Sequence, residues 1–127
     1  MIGPGNLRRM NSKDLKERTM EFAVRVLRMA ERLPRSLAGQ TIARQIAHSG
    51  TSVAANYRAA LRSKSRADFI NKVTIVLEEA DETGFWIELA SRLKLLPDEK
   101  LLDILDEAGQ LSRIFNATRT TARNHKS

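Results

Sequence analysis

At 127 residues, with 22 basic and 15 acidic side chains and no cysteine, the chain carries a formal charge of +7. That length supports a single domain with a real core, and the lack of cysteine excludes both a disulfide framework and a thiolate metal site. No run approaches the roughly 20 apolar residues of a membrane span, and residues 1–10 hold Arg8 and Arg9 without the apolar stretch of a secretory signal, so a soluble, cytoplasmic protein is expected.

Four helices are expected, and no segment shows the alternation of a strand. The first should open near Asp14, where Asp14 and Glu17 stand at capping-box spacing, and stop at Leu33 because Pro34 cannot continue it. Ser36 is placed to cap a second helix reaching about Arg62, and Ser65 followed by Asp68 opens a third that runs to about Leu95. Pro97, as the first helical residue, with Asp98 and Glu99 beside the positive end of the dipole, begins a fourth that fades near Thr121. Short connections between long helices favour antiparallel neighbours. The expected fold is therefore all-α, an antiparallel up-and-down four-helix bundle over residues 14–121, with 1–13 and 122–127 as flexible termini.

Helical spacing assigns faces as well as elements. In the first helix Leu15, Phe22, Val26, Met29 and Leu33 form a core stripe, while Met20, Ala23 and Leu27 carry the apolar arc around the far side. In the third, Phe69, Val73, Val76, Ala80 and Ile87 face inward, and Phe85, Trp86, Leu89, Leu93 and Leu96 project the other way. The fourth has one narrow stripe, Leu101, Leu105, Ala108, Ser112 and Phe115, with Ile104 and Leu111 at its edge. Apolar surface beyond the need of one core marks an interface. Met20, Leu27, Phe85, Trp86, Leu89 and Leu93 are the expected contacts of a homo-oligomer.

The second helix places Ile42, Ile46, Ser49, Val53, Asn56 and Ala60 on one face, with Ser52 beside it. An inward Asn56 requires a partner, since an unpaired buried amide is expensive. It is expected to bond a neighbouring helix and set register, with Ser52 as its polar companion. Ala43, Ala47, Gly50 and Ala54 leave the adjoining side small enough for another helix to come close.

Catalytic and metal chemistry find little support. There are two histidines, His48 and His125, and no Glu-x-x-His pair of the kind used by di-iron bundles. Glu78, Glu79, Asp81 and Glu82 form a dense acidic run, but Glu78 and Glu82 share an outward face, as expected of solvated or paired charges. Ser49 and Ser52 flank His48 on one helix and build no oriented nucleophile–base set. There is no glycine-rich phosphate loop. No enzymatic activity, metal or cofactor is expected.

Charge is uneven along the chain. Residues 1–66 hold 14 basic and 4 acidic side chains, a net of +10, and residues 67–127 hold 8 and 11, a net of −3. Arg44, Arg58 and Arg62 lie on the second helix opposite its core face, and Arg18, Arg25, Arg28 and Arg32 line the first. Together they are candidates for phosphate contacts with RNA or DNA. With no aromatic residues among them, binding would be directed at the backbone and not at sequence. The alternative is a scaffolding oligomer in which these charges meet the acidic run of an adjacent subunit.

Three segments together resemble a known family. They are Ser52-Val53-Ala54-Ala55-Asn56-Tyr57-Arg58-Ala59-Ala60, then Ser65-x-x-Asp68-Phe69-x-x-Lys72, then Glu78-Glu79-Ala80-Asp81-Glu82-Thr83-Gly84-Phe85-Trp86-Ile87-Glu88-Leu89. Their order and spacing resemble the bacterial four-helix-bundle family related to the proteins encoded in 23S rRNA intervening sequences. The likeness runs from about Asp14 to Thr121. Many relatives read Ser-x-Pro-x-Asn and close on Glu-Gly, where this chain has Ala54, Ala59 and Ala60. The resemblance implies an up-and-down bundle, often a cyclic pentamer, with no established enzymatic activity. A related group, the accessory proteins of diversity-generating retroelements, implies basic pentamers that bind nucleic acid and a reverse transcriptase.

Overall fold

The structure, a computed structural model, describes residues 11–125. It contains four helices: α1 (Ser12–Arg32), α2 (Leu37–Leu61), α3 (Arg66–Arg92) and α4 (Asp98–Asn124). Consecutive helices pack side by side, and α4 returns to touch α1 only lightly, closing an up-and-down four-helix bundle. Connections of four, four and five residues favour antiparallel neighbours in this order.

Local chemistry explains most helix ends. Ser36 accepts from the Gly39 amide at 3.1 Å and Ser65 from the Asp68 amide at 3.0 Å, satisfying N–H groups that a first turn leaves unpaired. At α1 the cap is Asn11, whose Oδ1 accepts from the Asp14 amide at 2.9 Å, so the helix starts two residues before the expected Asp14. Pro97 sits just outside α4 as its cap residue, not as the first helical one, and adds no side-chain hydrogen bond. The α3 helix stops at Arg92, short of Leu95, because Lys94 turns left-handed at φ 54°. The Lys94 and Leu95 amides then donate back to the Ser91 and Ala90 carbonyls, a Schellman end built without glycine.

Of the expected flexible termini, 12–13 and 122–124 are helical, while 1–10 and 126–127 lie outside the described residues.

The core is continuous through all four helices, with Phe22, Val26, Ile46, Val53, Val76, Ile87, Leu111 and Phe115 essentially dry. Ile104 and Leu111, expected at the edge of the α4 stripe, are buried, while Leu105 is half-buried and Ser112 turns out to donate to Asp81. The α1–α2 approach is tight at Gly50, where an added Cβ would sit 2.6 Å from Val26 Cγ1. This is the small-residue seam foreseen on α2.

Asn56 differs from expectation. Its Nδ2 donates at 2.9 Å to the Ser52 carbonyl one turn back on its own helix, and the residue is half-buried. A fully buried polar bond between helices lies two turns nearer the middle of the bundle. There the buried Thr83 hydroxyl of α3 donates to the buried Ser49 hydroxyl of α2 at 2.7 Å.

Candidate nucleic-acid interface

The arginines expected to act together fall into two groups. Arg44, Arg58 and Arg62 are exposed on the outward face of α2, and none makes an ion pair among the described residues. From Arg44 to the cap residue Arg62 the chain rises about 27 Å along the α2 axis, long enough to follow several phosphates of a strand.

The α1 arginines are divided by α4. Arg18 forms a two-pronged bond with Glu107, Nε to Oε2 and Nη2 to Oε1, both 2.8 Å, and also donates to Gln110 at 2.9 Å. The Glu107 hydrogen bonds raise its pKa further against the opposing effect of burial. Arg18 is therefore a strut between α1 and α4 and leaves the candidate phosphate surface, a correction that register across the bundle imposes. Arg25 also reaches α4, pairing with Asp103 at 2.8 Å, and remains partly exposed. Arg28 and Arg32 are exposed and have no ion pair among the described residues.

The apolar residues assigned to a subunit contact also divide. Phe85 on α3 and Leu93 at its C-terminal cap are 58% and 48% exposed, and Leu27 and Met20 on α1 are 41% and 37% exposed, so these four retain large uncovered surface. Trp86 and Leu89 instead lie half-buried against the core, with Phe85 set edge-on to Trp86 at 5.0 Å. Leu96 likewise packs on the core margin. Angular position alone turned these side chains outward, but rings and branched chains of this size reach back over a helix edge. The Trp86 Nε1 is buried with no hydrogen-bond partner.

Glu79 faces the α2–α3 groove, with Oε2 buried and unbonded. Desolvation raises its pKa, Glu82 adds to the rise, and the Ser52 hydroxyl and His48 nearby oppose it. His48, Glu78 and Glu82 are exposed, and among the described residues no three His, Cys, Asp or Glu side chains gather as a metal-binding group. Among the same residues no helix is long and apolar enough to cross a membrane.

The sequence matches the 23S rRNA-intervening sequence proteins over residues 12–117, which takes in all of α1 to α3 and most of α4. The chain belongs to that family. A solved relative agrees in fold: a protein of unknown function from the S23 ribosomal protein family of Bacteroides thetaiotaomicron, 34% identical, superposes with a TM-score of 0.80. The likeness covers 87% of this chain and 98% of that one. No curated protein matches.

Proposed function

We propose that this member of the 23S rRNA-intervening sequence protein family acts without catalysis, as an oligomer that binds RNA or DNA through its phosphates. The observation that carries the reading is the outward face of α2, where Arg44, Arg58 and Arg62 stand exposed with no ion pair among the described residues. Arg58 and Arg62 stand one turn apart and repel each other, and a polyanion relieves that repulsion while releasing its counterions. Arginine suits the task, since its planar fork meets a phosphate with two bonds.

Oligomerisation multiplies this face. The Met20–Leu27 strip lies on α1 and the Phe85–Leu93 strip on α3, two helices that each pack against α2. Joining one strip to the other brings unlike surfaces together head to tail, an arrangement that closes into rings when the rotation allows. The family resemblance suggests five subunits, the related retroelement accessory proteins suggest a protein partner such as a reverse transcriptase, and the absence of cysteine fits a reducing cytoplasm. A second reading draws on Glu78 and Glu82, which are exposed on α3 without an ion pair among the described residues. If they meet the α2 arginines of the next subunit, the protein is a scaffold.

The test compares wild type with Arg44→Glu/Arg58→Glu/Arg62→Glu on labelled single- and double-stranded probes. The triple reversal should remove most affinity while circular dichroism stays unchanged, because all three side chains are exposed. Absence of wild-type binding at low salt would support the scaffold. Binding that survives the reversal would move the phosphate surface away from α2.

A further inference from the structure

The seam between α1 and α4 is built of charge pairs that stop abruptly. Because the helices run antiparallel, Arg18 meets Glu107 and, two turns along α1, Arg25 meets Asp103. One further step along that register brings Arg32, two turns past Arg25, towards the first turns of α4. The residue that α4 presents there is Lys100 in place of an acid. Arg28 joins them, and the helices leave a cleft of about 180 Å³ lined by Arg25, Arg28, Arg32 and Lys100. Its apolar floor is Met29, Leu96 and Ile104.

The charge arrangement is unfavourable in the free subunit. Of the four cations only Arg25 has an ion pair among the described residues, and none of Glu31, Asp98, Glu99 and Asp103 lines the cleft. Arg25, Arg28 and Arg32 follow at three- and four-residue spacings, where like charges destabilise a helix. An ordinary solvated face would let these side chains diverge. Here two helices bring them to the rim of one concavity over an apolar floor, where one anion can meet several cations at once. The volume falls below the roughly 300–1,000 Å³ of pockets that take a drug-sized ligand. It is enough for one phosphate and part of the sugar attached to it.

We infer that this α1–α4 cleft seats one backbone phosphate of the bound nucleic acid, held by Arg28, Arg32 and Lys100 with Arg25 at its edge. The inference rests on the nucleic-acid reading and adds to it a discrete site, separate from the arginine face of α2. The Met29, Leu96 and Ile104 floor takes the sugar edge, and Asp103 keeps Arg25 in place.

Two readouts test the inference together. Met29 and Ile104 methyl resonances report on the floor during titration with inorganic phosphate, against sodium chloride at matched ionic strength. RNA affinity is measured in parallel across a salt series. Phosphate should move both resonances saturably, and Arg32→Gln/Lys100→Gln should abolish that response. The same double variant should lower the slope of log affinity against log salt by about one for each engaged subunit. Arg44→Glu/Arg58→Glu/Arg62→Glu should leave the phosphate response intact. Non-saturating shifts, or shifts that persist in Arg32→Gln/Lys100→Gln, would overturn the cleft. If wild type binds RNA and the double variant binds it with the same slope, the cleft assignment fails and the nucleic-acid reading stands. If phosphate saturates the cleft but wild type binds no RNA at low salt, the nucleic-acid reading fails and takes the backbone phosphate with it.

Discussion

Gly50→Ala offers a sharp test of the bundle geometry because two effects of known sign oppose each other. Alanine gains up to about 1 kcal/mol of helix propensity over glycine. Against this, the new Cβ would lie 2.6 Å from Val26 Cγ1 and 2.9 Å from Val26 Cβ, where carbon atoms prefer about 3.5–4.0 Å. Val26 cannot move aside: it is fully buried, and a β-branched side chain in a helix has essentially one rotamer. Relief must come from shifting α1 away from α2 by about 1 Å, and overpacking of this kind costs about 1–3 kcal/mol. The expected net effect is therefore a loss of up to about 2 kcal/mol, a fall in Tm of up to roughly 8 °C for a chain of this size. Gly84→Ala is the matched control. Its Cβ would meet Leu105 Cδ1 at 3.7 Å and Ala108 Cβ at 3.9 Å, both ordinary contacts. It should therefore stabilise by about 0.5–1 kcal/mol. Denaturant melts at one fixed subunit concentration compare the two, since assembly would otherwise shift apparent stability. Equal effects of the same sign from both substitutions would refute the close α1–α2 approach.

Three further outcomes follow from particular contacts. Thr83→Val keeps the shape of the side chain but strips the buried Ser49 hydroxyl of its donor. It should cost about 1–3 kcal/mol, with Ser49→Ala/Thr83→Val losing less than the sum of the single changes. Phe85→Asp should lower the mass seen by light scattering without loss of helix signal, because Phe85 is exposed in the subunit; an unchanged mass would remove α3 from the interface. Glu79→Gln should stabilise the protein at neutral pH. The Glu79 carboxyl has its folded pKa raised by desolvation, so its ionised form costs stability above that pKa, and the cost fades as pH falls through it towards the unfolded value. The advantage of the glutamine variant should shrink over that acidic range, and a difference that does not vary with pH would contradict the burial of this carboxyl.

Bundle, helix order and two of the caps were legible from the sequence because they depend on neighbours along the chain. Ser36 and Ser65 cap as their spacing implied, and the Leu15-to-Leu33 stripe is the buried face of α1. Asn11 was obscured by the capping-box spacing of Asp14 and Glu17, which drew the start inward. Lys94 gave no signal because left-handed residues are usually announced by glycine. What escaped most completely was anything set by register between helices. Ser49 and Thr83 are 34 residues apart, and Arg18 and Glu107 are 89 apart. No local pattern distinguishes the Arg18 that becomes a strut from the Arg28 that remains exposed. Periodicity also treats a side chain as a direction and not a volume. It therefore placed Asn56 inward when its amide folds back on Ser52, and Trp86 outward when its ring covers the core margin.

The central claim, an exposed arginine face that binds nucleic-acid phosphates, is tested most directly by the salt dependence of wild-type binding to a single-stranded RNA. Each phosphate contact on a single strand contributes about −0.7 to the slope of log affinity against log salt, so engagement of Arg44, Arg58 and Arg62 in even one subunit predicts a slope of about −2 or steeper. Affinity should also vary little between RNA sequences of equal length. A slope near zero, or no binding at low salt, would contradict the account.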